Sequence, residues 1–559
     1  MRKIYSLVLM ATMLLMGTNV KADEVSVATD AELVAAFTNI PDTRTITLTD
    51  DIELVEASTA NPLIIDGGQE VTLDLNGHSL SGYTDPVIRV NHGKLDITGT
   101  GTFTSRVDAV VLKGSTESTA SEYSVLTVGA NVKIVGTNSD YILWITNNNG
   151  CAYGAKMIIN GEARSAKAGL YINGNVQQKD GNVPEIYVNA GAKVIAADNE
   201  VGIYAAGYGK WYIKGYVSGG TGIYAKSGNF VVSDNAKVVA TADTYEQAEP
   251  NGNGYTGGMG CAIIQDSKNG YAGGMTLVVT GDATLESNAA GGYAIQEIKT
   301  DASQSKTENI TISGGTINGN VNMTGEVQEH VVLNGTITGG TFSTDISEYL
   351  DPTKGALEQT ANGYEVVEGC VAMLNSYGLA TFSSRYYNVV LPAGVTAWIA
   401  TGGMTGDALN LTKVAENEGD ILPQNAGLIL WGAANANLSL LKSDAAATAT
   451  VAGNLLKPAT AWADENFTEA YILHDNELWI YNGTGGFKAG KAFLPLSAIP
   501  TLGGAPKRVS MIFNQTETPT AVENVEIQNV KAVKFVGEDG QLYIRRGEAV
   551  YTVQGQVVK

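Results

Sequence analysis

The side chains here with chemistry to offer are scattered carboxylates, four histidines, three cysteines and a file of tyrosines. Cleaving an acidic glycan needs clustered carboxylates to hold calcium and a nearby arginine or lysine as base. Between residues 23 and 345 the arginines are Arg44, Arg89, Arg106 and Arg164, and none sits in an acidic cluster. Asp50 and Asp51 are adjacent, and Asp66, Asp74 and Asp96 could share one face, as hydrolysis between two carboxylates requires. Aspartates in turns and at outward positions also serve solubility alone. His78, His92, His330 and His474 lie far apart, without metal-ligand spacing. Serine, cysteine and histidine form no nucleophile arrangement. These residues predict no catalytic group and no metal ligand set, although the acidic surface could attract calcium.

The tyrosines carry the stronger signal. Gly169-Leu-Tyr-Ile172, Gly202-Ile-Tyr-Ala205 and Gly222-Ile-Tyr-Ala225 repeat one short motif. If Leu170, Ile203 and Ile223 point inward, Tyr171, Tyr204 and Tyr224 point outward on one face. By the same parity Tyr187 and Tyr212 point outward on another. Tyrosines at rung spacing make a flat platform on which sugar rings could stack. They would equally stabilise neighbouring rungs, or contact another domain. An insertion at 241–258, carrying Tyr245 and Tyr255, reads as a surface loop bordering the platform.

A repeat must position these groups. Strands such as Val71-Thr-Leu-Asp-Leu, Lys94-Leu-Asp-Ile-Thr, Glu185-Ile-Tyr-Val and Asn309-Ile-Thr-Ile alternate with period two, each followed by a Gly-, Asn- or Asp-rich turn. The first inward residues fall at 71, 95, 126, 157, 186, 211, 230, 277, 310 and 331. Short units of this kind predict a stacked β-solenoid with at least two sheet faces. About ten to twelve coils at ~4.8 Å each would make a rod of roughly 50–60 Å. Asp30 is placed to cap a helix, with Leu33, Val34 and Phe37 inward, that covers the first coil.

Residues 1–22 read as a secretory signal peptide, with Arg2 and Lys3, an apolar stretch from Leu7 to Met16, and Val20-Lys-Ala22 at the cleavage site. Removing Arg2, Lys3 and Lys21 takes the net charge from −22 to −25. Such a surface repels nucleic acid and anionic lipid. No later segment reaches the ~18 apolar residues of a transmembrane helix. Three widely spaced cysteines, Cys151, Cys261 and Cys370, exclude a disulfide framework and read as free thiols, with a Cys151–Cys261 bridge the alternative.

The rod ends near Gly339-Gly-Thr-Phe-Ser-Thr-Asp-Ile-Ser-Glu-Tyr-Leu350, and 351–369 read as a linker. From 370 to 515 irregular strands with Trp398, Trp431, Trp462 and Trp479 fit an antiparallel β-sandwich; 516–559 are a linker and a β-rich tail. The class is all-β.

Gln69-Glu-Val-Thr-Leu-Asp-Leu-Asn-Gly-His78 and Gly93-Lys-Leu-Asp-Ile-Thr-Gly-Thr-Gly-Thr-Phe103 resemble the first coils of right-handed parallel β-helix proteins of the pectate-lyase-like type, as found in exported proteins of Bacteroides-like bacteria. The 339–349 run looks like the exit of the same helices. Asn91-His92-Gly93 is similar to the Gly-His-Gly motif of polygalacturonases, without the first glycine or the paired aspartates. Val390-Leu-Pro-Ala-Gly, Ile421-Leu-Pro-Gln-Asn and Lys488-Ala-Gly-Lys resemble a β-sandwich module of surface proteins from such bacteria. Gly540-Gln-Leu-Tyr-Ile-Arg-Arg546 and Val550-Tyr-Thr-Val-Gln-Gly-Gln resemble a type IX-like sorting tail, which implies export machinery as a partner. Together the expectation is a secreted protein retained at the outer cell surface. It would bind a polysaccharide or a surface protein without catalysis, through Tyr171, Tyr204, Tyr224, Tyr187, Tyr212, Tyr245 and Tyr255. The alternative is a polysaccharide lyase or glycoside hydrolase on the same scaffold.

Overall fold

The computed structural model describes residues 23–55, 62–138, 141–174, 180–248, 258–266, 275–298, 309–323, 337–459, 470–481, 489–499 and 507–514. It also describes the strands 533–536, 542–546 and 549–552, and residue 558. The signal-like segment, Tyr255, His330, Trp462 and the inward position 331 lie outside these residues. The chain divides into two compact units, 1–512 and 513–559.

The first unit begins as a parallel β-helix with three strands per coil, one face more than the two that the repeat requires. Face I runs from Thr43–Leu48 through Gln69–Asp74, Gly93–Thr98 and their successors to Met275–Val279. Face II stacks Ser79–Gly82, Gly101–Ser105, Val132–Gly136 and on to Thr284–Ser287. Face III is a ten-stranded sheet from Leu63–Ile65 to Asn320–Asn322. The pairing is in register along the rod: Val71, Leu95, Leu126, Met157, Ile186, Trp211, Phe230, Leu277 and Ile310 stand one on the next. This is the inward file that alternation predicts. A parallel ladder needs a long crossover between its strands, and the other two faces supply it.

A helix, Asp30–Ala36, covers the first coil with Leu33 and Phe37 buried in the rod core. Its cap is Thr29 rather than Asp30. Thr29 is extended and its Oγ1 accepts from Glu32 N, while the Glu32 carboxylate accepts from Ala28 N and Thr29 N. That reciprocal capping box leaves Asp30 in the first turn, where negative charge is favourable.

Coils pack closely enough that some corners admit only glycine. A Cβ on Gly114 would stand 2.1 Å from Ala152 Cα on the next coil. Gly114→Ala is therefore expected to cost at least the ~1–3 kcal/mol of an overpacked core, because the obstacle is backbone. Denaturant unfolding followed by far-UV circular dichroism checks this, and an unchanged midpoint would refute it.

The far end is closed by a hairpin where the sequence suggests a linker. Strand Gly363–Met373 pairs with Gly355–Thr360, and its residues Tyr364 and Glu365 pair with Phe342 and Thr341 of the last coil. Leu357 and Val366 join the rod core. The last coil would otherwise expose an edge and apolar side chains, so residues 355–369 are a cap. The same strand continues into the second domain, where Gly369–Met373 pairs antiparallel with Asn437–Leu441. There a small antiparallel sheet, completed by Asn388–Val390 and Ile421–Leu422, faces a nine-stranded sheet. Phe382, Leu391, Leu428, Leu430 and Leu440 are buried between them. The second unit holds a three-stranded antiparallel sheet, Val533–Val536, Leu542–Arg546 and Ala549–Thr552.

Candidate functional site

The carboxylates are engaged in turns. Asp51 accepts from Ser79 N at 2.7 Å and lies 3.7 Å from His78 Nδ1. Asp66 accepts from Gly67 N and Asp74 from Asn76 N, so both shape tight corners. Asp96 stands in register with Thr72 and Thr127 on the outer side of face I, which it shares with Asp74, while Asp66 sits in the turn before that strand. His92 lies flat against Tyr123, with ring centroids 4.3 Å apart. Among the described residues, no three His, Cys, Asp or Glu side chains are grouped to hold a metal. Cys151, Cys261 and Cys370 are free thiols. Burial pushes Cys261 up to about 12 and Cys370 up to about 11.

On face III, Trp144, Tyr171, Tyr204, Tyr224 and Ile264 succeed one another coil by coil on the outer side of the sheet. Tyr171 and Tyr204 stack at 5.4 Å, and Tyr204 meets Tyr224 edge to face at 6.0 Å. Parity correctly turned these rings away from the coil, but it says nothing of what lies above them. Tyr204 is 3% exposed and Tyr224 is fully buried, so neither can serve as an open sugar platform. The described part of the 241–258 insertion lies across them instead of projecting. Thr244 bridges to Ala290, Glu246 N donates to Met259 O, and Ala248 is buried with Tyr204, Tyr224, Cys261 and Ile264. Tyr245 packs against this cluster, its hydroxyl accepting from Gln296 Nε2 at 2.6 Å. The segment is apolar enough at Tyr245 and Ala248 to shield Tyr204 and Tyr224 from water, while Trp144 and Tyr171 stay partly exposed.

On face I, Tyr187 and Tyr212 are half-buried and stacked at 4.7 Å. Each ring covers one face of the other, and Lys156 Nζ lies 5.4 Å from the Tyr187 centroid. The Tyr187 hydroxyl donates to Glu185 at 2.8 Å. Burial, then this bond, raises its phenol above the usual range. Rings stacked along the rod present edges to solvent, so this pair holds rungs together.

Exposed aromatics include Tyr83 on the rod, at 39%, but they gather on the second domain, where the sequence predicts no site. Tyr377, Trp431 and Trp479 are 52%, 37% and 40% exposed. A Cβ on Gly378 would stand 3.5 Å from Trp431, which sets that indole beside the 375–378 turn. Asn375 Nδ2 of the same turn donates to Asp475 O at 2.6 Å, tying it to the hairpin that carries His474 and Trp479. Those two rings are 5.6 Å apart, and His474 is mostly exposed. The available signal was the alternation in Glu477-Leu-Trp-Ile-Tyr481, which turns Leu478 inward and Trp479 out. No protein-family model matches the chain, and neither a curated protein nor a solved structure does. Function is therefore argued from these sites alone. Among the described residues, no helix is long and apolar enough to cross a membrane.

Proposed function

We propose that this chain is an exported, non-catalytic glycan-binding protein acting at the outer cell surface. The rod is its spacer, and the aromatic strip of the second domain is its contact surface. The observation that carries this reading is the strip itself: Tyr377, Trp431, His474 and Trp479 are exposed around the 375–378 turn and the 470–481 hairpin, which the Asn375–Asp475 bond joins. Exposed indole and phenol rings cover the apolar C–H faces of sugars while their polar ends hydrogen-bond outward. Solvent-exposed aromatics in such a group mark a contact surface more often than a structural one. The acidic net charge of −22 favours neutral over anionic glycans.

The test is retention of the full-length chain on neutral and acidic polysaccharides, with and without calcium, with product release read on the same samples. Retention on a neutral polysaccharide without product is expected. The Trp431→Ala/Trp479→Ala double variant should lose about 30-fold or more in affinity, at ~1 kcal/mol or more per indole. The Tyr187→Phe/Tyr212→Phe variant should bind as the parent does. Release of product would overturn the reading in favour of a polysaccharide-cleaving enzyme, and retention unaffected by the double Trp variant would move the contact elsewhere.

A further inference from the structure

Lys226 and Asp266 meet at the ends of two neighbouring strands of face III. Strands Thr221–Ala225 and Cys261–Asp266 are paired in register, Ala225 opposite Gln265, so the next residues, Lys226 and Asp266, stand opposite each other. Lys226 Nζ lies 2.7 Å from Asp266 Oδ2, and both side chains have no exposure at all. The Tyr224 hydroxyl donates to the same oxygen at 2.7 Å. Asp266 Oδ1 is buried and has no hydrogen-bond partner among the described residues.

As an ion pair this arrangement is poor. A buried carboxylate is stable only when its remaining lone pairs are also satisfied, and an unpartnered charged oxygen carries the full cost of lost hydration. One reaction removes both charges without any added reagent. We propose that Lys226 and Asp266 join in an intramolecular amide bond that cross-links two neighbouring coils of the rod.

The atoms balance within the pair. One ammonium proton passes to Oδ2 across the 2.7 Å contact, leaving an amine and a carboxylic acid. Water-free surroundings disfavour separated charge and ease this transfer. The Nζ lone pair then attacks Cγ, forming the C–N bond. The Cγ–Oδ2 bond breaks, and Oδ2 leaves as water with that proton and a second one from nitrogen. Oδ1 becomes the amide oxygen, neutral where it was charged, and Nζ keeps one hydrogen. No oxidant, metal or cofactor is consumed. The Tyr224 hydroxyl, donating to Oδ2, assists the departing oxygen. Its phenol is raised by burial and then by the Asp266 charge, so it stays a proton donor. The ladder fixes nucleophile and carbonyl together although 40 residues separate them, which replaces a chance encounter by a standing one.

This inference is independent of the glycan reading. It is tested by intact-mass spectrometry of the purified full-length chain, followed by protease digestion and fragment sequencing. The expected result is a mass lower than its own sequence requires by one water, about 18 Da. It is accompanied by a branched peptide joining Lys226 to Asp266. Lys226→Arg and Asp266→Ala should each restore the sequence mass. Tyr224→Phe should lower the cross-linked fraction at a given time after folding. Should these variants fold poorly, the parent chain still decides the matter. A full sequence mass with separate linear peptides for Lys226 and Asp266 would overturn the proposal, as would a lost water mapped to another pair.

Discussion

Trp211→Ala is expected to destabilise the rod by about 3–5 kcal/mol, and Trp211→Phe by far less. Trp211 is 1% exposed at the middle of the inward file, between Ile186 and Phe230. Its ring stacks on Phe230 at 5.6 Å with planes 6° apart. Alanine would remove the largest side chain of that layer and leave a cavity between two coils whose backbones are held apart by their own ladders. Phenylalanine keeps most of the stack. It also removes the indole N–H, which is buried without a partner among the described residues and therefore costs desolvation energy in the parent protein. Each coil touches only its neighbours, so the loss should be local. Hydrogen exchange should quicken first in Glu185–Val188, Lys210–Ile213 and Gly228–Val232, while the strands around Val71 keep their protection. Equal loss along the whole rod would contradict nearest-neighbour stacking, and equal effects of the two variants would contradict the cavity argument.

Trp211 also shows why this fold could be read from its sequence. The residue is unlike Ile186 and Leu277 in size, yet it occupies the same step of a period-two alternation, and pairing in register made that step visible coil after coil. What alternation encodes is direction. It set Tyr204 and Tyr224 on the outer side, but exposure depends on what crosses above them, and a cover built from an insertion has no periodicity to betray it. The exit hairpin is hard to see in the sequence for a related reason. Gly363–Met373 belongs to two domains at once, and a strand that changes partners midway resembles a connector in sequence. Lys226 and Asp266 were hidden more deeply, because the 47-residue interval between Phe230 and Leu277 masks their common register until the ladder is traced. The open indoles are the opposite case: neither Trp431 nor Trp479 repeats, and beyond the short alternation that turns Trp479 outward nothing separates a rim tryptophan from a core one such as Trp398.

Alkaline pH should loosen both domains through their buried thiols. Cys261 lies in the covered cluster of face III, its Sγ 3.1 Å from Gln296 Oε1, and Cys370 lies in the core of the second domain. Burial raises them to about 12 and about 11, against 9.0 for an ordinary thiol. The sign follows from the proton count. Between the unfolded and folded values the unfolded chain has released these protons and the folded chain has kept them, so stability falls as pH rises. Below pH 9 both states are protonated and the thiols contribute no slope. From pH 9 to 10.5 each thiol should remove about 1.5 kcal/mol from its own domain, the slope rising towards ~1.4 kcal/mol per unit. The Tyr224 phenol, raised by burial and by Asp266, and the Tyr187 phenol, raised by burial and by Glu185, steepen the rod's decline once unfolded tyrosine begins to ionise above pH 10. Denaturant midpoints measured at steps of pH should therefore bend downward first near 9 and again near 10 in the rod. In the second domain the bend near 9 should vanish in Cys370→Ala. A decline that is equally steep in Cys261→Ala and Cys370→Ala would assign it to surface charge, and salt would then relieve it, since screening acts on exposed groups and leaves buried thiols untouched.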